Sequence, residues 1–218
     1  MFDIQSYQKA ESVSDAIRLL GEDPEARLIA GGTDVLIKLR EFEGFSRLVD
    51  IHDLPELKPI TREADGTVRV GSGASFTDLE ESPIIRECIP MLGESAASVA
   101  GPQIRNMGTI GGNVCNGITT ADSASTLMAL DAVMRVKGPR GEREVPIAQW
   151  YKGVGRVDLA PYELLVKIVI PRENYEGYSG HYVKYAMRNA MDIATLGASC
   201  LVKLSEDKET VEDLSLAF

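Results

Sequence analysis

Apolar and polar positions change rhythm several times along the chain, and each rhythm predicts an element. From Glu11 to Gly21 the apolar residues Ala16, Ile17, Leu19 and Leu20 recur at helical spacing. Ser12 or Ser14 offers an N-cap there and Gly21 a stop. The apolar run Arg27–Ala30 ends in Gly31-Gly32-Thr33-Asp34, and Val35–Arg40 then resumes an apolar pattern: strand, glycine turn, helix. Leu48–Ile51 reads as the next strand, which makes a compact β-α-β unit near the N-terminus. Thr67–Gly71 alternates as a strand, Phe76–Glu81 starts a helix, and Ile84–Val99 reads as helical with Ala-rich packing surfaces. Ala129–Lys137 and Leu164–Ile170 read as strands, with a Pro139-Arg140-Gly141 turn before Val145–Ile147, a pattern that predicts a largely antiparallel sheet. Near the end, Tyr182–Tyr185 and Ile193–Leu204 read as strands joined by the polar segment Ala186–Asp192, and Leu214–Phe218 begins a third. Nothing follows to cover that third strand's edge, so the expectation is a polypeptide truncated within its last domain.

Charge and composition narrow the functions. At 218 residues the chain can bury one large core or two modest ones. A net charge of −10 without a basic stripe argues against nonspecific binding to nucleic acid or to an anionic membrane, because phosphate binding needs clustered Lys and Arg. The N-terminal residues have neither a basic region nor an apolar run, and eighteen consecutive apolar residues occur nowhere, so a cytoplasmic protein is expected. Cys88, Cys115 and Cys200 are far apart and form no CxxC, which predicts neither a disulfide framework nor a metal or iron-sulfur site. With only His52 and His181 present, a histidine-based triad or metal centre is poorly supplied.

Two glycine-rich segments carry the candidate chemistry. In Leu28-Ile29-Ala30-Gly31-Gly32-Thr33-Asp34 a strand delivers two glycines and a hydroxyl to a helix start, where backbone amides and the helix dipole suit an anion such as a pyrophosphate. A plain tight turn with a capping Thr33 is the structural alternative, and Asp34 reads as an acid at the helix N-terminus. From Gly101 to Asn113 four glycines and a proline are packed with amides, which predicts a non-repetitive path rather than an ordinary helix. Thr109 and Asn113 add side-chain donors of the kind that hold phosphate and ribose oxygens. Neither segment is a GxGxxG followed by a distant acid, so an ordinary Rossmann site is disfavoured. Asp122, nine residues beyond Asn113, either caps a helix or holds a ligand hydroxyl.

The pair AGGTD and GPQIRNMGTIGGNVCNG, followed by TTADS and HYVKYAMRNAMDIA, resembles the FAD subunits of molybdenum hydroxylases of the bacterial xanthine dehydrogenase type, over essentially the whole chain. The resemblance implies an α+β fold: a two-subdomain FAD-binding module of the vanillyl-alcohol-oxidase type over residues 1–176, with subdomains of about 1–54 and 55–176, and then the beginning of a smaller C-terminal α+β domain over 177–218. By position it implies FAD contacts from Arg27, Leu28, Ile29, Ala30, Gly31, Gly32, Thr33 and Asp34, and from Thr109, Ile110, Gly111, Gly112 and Asn113. Val99, Asp122, Leu165 and Lys184 match further contacts, and Lys184–Ile193 resembles a charged loop beside the flavin whose alternative is a solvated hairpin turn. It also implies electron transfer to NAD, with the molybdopterin in a large partner subunit and the [2Fe-2S] clusters in a small one. No catalytic acid or base and no metal ligand is implied in this chain. A stand-alone FAD oxidoreductase on the same module and a non-catalytic remnant are the alternatives.

Overall fold

A computed structural model describes residues 4–41 and 47–218. Ser6–Lys9 (β1), Val13–Glu22 (α1), Arg27–Ile29 (β2), Val35–Arg40 (α2) and Arg47–Asp50 (β3) form the first unit. Its strands are parallel in the order β1-β3-β2, with Tyr7 opposite Leu48 and Leu28 opposite Val49. The expected β-α-β unit is therefore present as β2-α2-β3, with residues 42–46 between α2 and β3 outside the described residues. In α1 the cap is Ser12, whose Oγ accepts from the Asp15 amide at 3.0 Å. Gly21 does not stop this helix, which runs on to Glu22 and ends at the extended Asp23. The apolar stripe Val13, Ala16, Ile17, Leu19 and Leu20 is buried against Leu54, Leu57, Leu164 and Val166.

The second unit runs through Ile60–Arg62 (β4), Val68–Gly71 (β5), Phe76–Glu81 (α3), Pro83–Cys88 (α4), Pro90–Ala97 (α5), Pro102–Met107 (α6), Ile110–Asn116 (α7) and Asp122–Ala129 (α8). It continues with Val133–Gly138 (β6), Gly141–Pro146 (β7), Ile147–Trp150 (α9), Tyr151–Gly153 (β8), Arg156–Val157 (β9) and Leu164–Ile170 (β10). The sheet is antiparallel in the order β4-β5-β10-β6-β7, with Ile168 of the central strand opposite both Val70 and Met134. The single helix expected over Ile84–Val99 is two helices. Pro90 has no amide to donate and its ring collides with the preceding turn, so the chain breaks at Ile89. A bulge in β10 between Leu165 and Lys167 lets Leu164 and Val166 pack on the N-terminal cluster while Leu165, Ile168 and Ile170 enter the main core.

The third unit is an antiparallel sheet of Tyr178–Tyr185 (β11), Leu196–Leu204 (β12) and Val211–Ala217 (β13), in that order. One face turns Tyr182, Ser199 and Leu201 inward. The opposite face carries Val183, Tyr185, Leu196, Leu214 and Leu216, all exposed. Among the described residues no helix is long and apolar enough to cross a membrane.

Candidate functional site

Between the first sheet and the helices of the second unit lies a cleft of about 680 Å³. β2 delivers its first wall. Gly32, at φ +72°, turns the chain through the left-handed region that a side chain resists, and α2 follows. That helix begins without a side-chain cap: Asp34 occupies the N-cap with φ −97° and ψ −43°, and its carboxylate accepts no capping hydrogen bond. The Leu36 amide is already spent on the Gly32 carbonyl at 3.0 Å, so the helix start offers only the amides ahead of it to whatever occupies the cleft.

The second wall departs from expectation. The stretch expected to be non-repetitive is two short helices, α6 and α7, hinged at Gly108-Thr109. Thr109 is buried and its Oγ1 accepts from the Gly112 amide at 3.0 Å, which makes it the cap of α7. Asn113 Oδ1 accepts from Ser123 Oγ at 2.6 Å, so its amide NH₂ stays available on the cleft side.

The glycines serve the walls themselves. A Cβ on Gly31 would stand 1.7 Å from the Met107 carbonyl oxygen, so the two glycine segments touch main chain to main chain. A Cβ on Gly111 would stand 2.5 Å from the Ser72 carbonyl oxygen, which already accepts from the Gly111 amide at 2.8 Å. The missing side chains leave room for neighbouring backbone in both places.

Of the residues singled out from sequence, the structure brings Arg27, Leu28, Ala30, Gly31, Gly32, Thr33, Asp34, Val99, Thr109, Gly111, Gly112, Asn113 and Leu165 together around this cleft. Four do not line it. Ile29 is turned by strand alternation away from the face shared by Leu28 and Ala30. Ile110, at the first position of α7, is fully buried in the core. Asp122 and Lys184 are held by each other at 3.0 Å. Asp122 also accepts from Tyr182 Oη at 2.7 Å, and Lys184 donates to the Ser98 carbonyl at 3.1 Å. Burial, with that hydrogen bond to Asp122, pushes the Tyr182 phenol well above its ordinary range. The cluster ties β11 to α8 and, through the carbonyl of Ser98 next to Val99, to the end of α5.

Sequence reasoning missed several lining residues. Lys38 lies on α2 one turn beyond Asp34, and its Nζ donates to Asn116 Oδ1 on α7 at 3.0 Å. The i, i+4 spacing from Asp34 was the signal that could have found it. Ser72, Phe76, Tyr162 and Glu163 carry no local motif, since topology alone brings them there. Arg143 grips Glu163 at 2.9 and 2.7 Å and holds its carboxyl below the usual range. Burial pushes the Cys115 thiol at the cleft up to about 12. Among the described residues no group of three or more His, Cys, Asp or Glu is placed to hold a metal ion.

The family model for the FAD binding domain in molybdopterin dehydrogenase matches residues 2–173. The chain is 46% identical over 219 residues to the xanthine dehydrogenase FAD-binding subunit of Escherichia coli O157:H7, covering 100% of this chain and 74% of that protein. It is 35% identical to the carbon monoxide dehydrogenase medium chain of Hydrogenophaga pseudoflava, covering 97% and 72% of the two. Among solved structures, carbon monoxide dehydrogenase from H. pseudoflava superposes with a TM-score of 0.92 at 32% identity, covering 99% of this chain and 74% of that one. Quinoline 2-oxidoreductase from Pseudomonas putida 86 gives a TM-score of 0.92 at 28% identity over the same shares, 99% and 74%.

Proposed function

Because the chain belongs to the family of FAD-binding domains of molybdopterin dehydrogenases and has the α+β fold of their flavin subunits, we propose that it carries FAD in the cleft between its first two units. There it serves as the electron-transfer subunit of a xanthine dehydrogenase-like complex. The observation that carries this reading is the cleft itself: two glycine segments 76 positions apart, Gly31 and Met107 in contact, enclosing about 680 Å³, with the unspent side-chain amide of Asn113 on the wall whose own backbone amides from Ile110 to Asn113 are already bonded. The residues fit the group on their own chemistry. The uncapped start of α2 and the unused amide of Asn113 suit a diphosphate and its sugar oxygens. Leu28, Phe76, Val99 and Leu165 provide apolar surface for flat rings.

FAD, when bound, supplies one- and two-electron chemistry of its own. The chain's residues bind and orient it, and keep water from the apolar parts of the cleft. The proposed contacts are Arg27, Leu28, Ala30–Asp34, Val99, Thr109, Gly111–Asn113 and Leu165. Ile29 and Ile110 support them from behind, and Asp122 with Lys184 supports the wall at Val99. The proposed partners are a large molybdopterin subunit and a small [2Fe-2S] subunit, with NAD as acceptor, in the cytoplasm. Subdomains of about 1–54 and 55–176 followed by 177–218 are the proposed division, and the boundaries of the three larger sheets support it.

The segment after Lys184 is proposed to border the flavin. Support comes from Met191, whose Cγ would lie 3.3 Å from a Cβ on Gly101, and from Arg188, whose Nη2 donates to the Met191 carbonyl at 2.7 Å. Released cofactor identified by mass from the purified chain tests the main reading. FAD near one per chain is expected, and protein that stays colourless after incubation with FAD would overturn it.

A further inference from the structure

We propose that Lys38 is the counter-charge for the diphosphate of the cofactor, an inference that rests on the reading of the cleft as an FAD site. The charged side chains lining the cleft among the described residues are Arg27, Asp34, Lys38 and Glu163. Each except Lys38 is already committed or of the wrong sign. Glu163 is neutralised by Arg143 through two hydrogen bonds. Arg27 turns Nη1 onto the carbonyls of Pro24 and Ala26, at 3.1 and 2.9 Å. Asp34 is an anion at the start of α2 and opposes a phosphate.

Arg27 and Lys38 are both cations without a carboxylate partner among the described residues, but Arg27 is turned onto carbonyls of its own loop, whereas Lys38 reaches the facing wall. Its ammonium has three donors, and its recorded partner is a neutral one, the side-chain carbonyl of Asn116. It forms no ion pair among the described residues. A cation left without a carboxylate inside a cleft, in a chain of net charge −10, is a position that an anionic ligand stabilises. The side chain also runs from α2, which begins just after the first glycine segment, to α7, which begins within the second, so it stands between both walls. A diphosphate brings two negative charges that backbone amides meet only with partial charges. Lys38 supplies the full charge, and the Asn116 carbonyl holds it in place until the ligand arrives.

The test is flavin titration of the full chain, stripped of cofactor, with FAD and separately with riboflavin, which has no phosphate. Lys38→Gln is expected to weaken FAD on the order of 10- to 100-fold and to leave riboflavin unchanged. It is also expected to flatten the salt dependence of FAD binding. Lys38→Arg retains FAD affinity, and Asn116→Ala, which removes the tether and keeps the charge, weakens FAD less than Lys38→Gln does. Equal losses for FAD and riboflavin in Lys38→Gln, or an equal loss in Asn116→Ala, would show a structural tie between helices and overturn the proposal. A wild-type chain that binds no FAD removes the reading of the cleft itself. A wild-type chain that binds FAD beside a Lys38→Gln variant that binds it equally well removes only the role of Lys38.

Discussion

Gly31 and Cys115 set the expectations at the scale of single residues. A methyl group on Gly31 lands on the Met107 carbonyl, so Gly31→Ala must push one wall of the cleft away from the other. Overpacking of this kind costs about 1–3 kcal/mol, and urea unfolding should report it as a lower midpoint together with reduced FAD content. Gly111→Val should act in the same way through Ser72, whether or not a ligand is present, and the cofactor-free variant should already melt lower than the cofactor-free wild type. For Cys115, a pKa pushed up to about 12 by burial leaves almost no thiolate at neutral pH. In a chain with Cys88→Ser and Cys200→Ser, iodoacetamide should leave the native protein unlabelled and label it once urea unfolds it. Rapid native labelling would show that the cleft, which this half-buried thiol lines, leaves it open to reagent as thiolate.

At the scale of elements, the buried cluster of Asp122, Tyr182 and Lys184 is what fastens β11 to α8. Lys184→Met leaves Asp122 without its cation, and breaking such a pair costs about 3 kcal/mol. Hydrogen exchange should then quicken in β11 and β12 and stay unchanged in β1 and β3. A second expectation follows from Glu163. The Arg143 guanidinium holds the Glu163 carboxyl below the usual glutamate range in the folded state, so the folded chain holds that proton more weakly than the unfolded chain does. The stabilisation is present above the unfolded pKa and is lost as pH falls through the folded one. The stability gap between wild type and Glu163→Gln should therefore narrow as pH falls through and below the ordinary glutamate range.

The same elements show what the sequence could and could not reveal. β2, α3, β10 and the strands of the last sheet were legible because each has its own apolar rhythm and its own breakers. β1 was not, since all four of its residues are exposed and its pairing with β3 comes from forty positions away. β4, a short edge strand with two exposed residues, was missed for the same reason. α7 was hidden by Gly111 and Gly112, which in isolation disfavour a helix but here are held by Ser72 and by Thr109, and α6 was hidden by the glycines that bracket it. In the cleft, residues adjacent in sequence to a glycine segment were found, whereas Phe76 and Glu163 depend on topology alone.

Across the whole molecule, the third sheet sets the behaviour of the isolated chain. It attaches to the second unit through the Asp122 cluster, through Ser199 bonded to Ser125 and Thr126, through Glu94 bonded to His181 and the Tyr182 amide, and through apolar side chains, and its other face presents Val183, Tyr185, Leu196, Leu214 and Leu216 to solvent. Contiguous apolar surface of this kind promotes association. Sedimentation velocity of the purified chain should show self-association that rises with concentration, and the paired change Leu214→Lys with Leu216→Lys should return it to a monomer. A wild-type chain that stays monomeric at high concentration would refute this.

The contact of Gly31 with Met107 also bears on how such sequences drift. Main-chain packing selects both this glycine and Gly111, so a descendant that had given up its flavin would keep them for as long as it stayed folded. The positions freed from selection would be Lys38 and Asn113, whose unspent donors have work only when a ligand is present. Their survival, more than that of the glycines, is the mark of a lineage still using its cofactor.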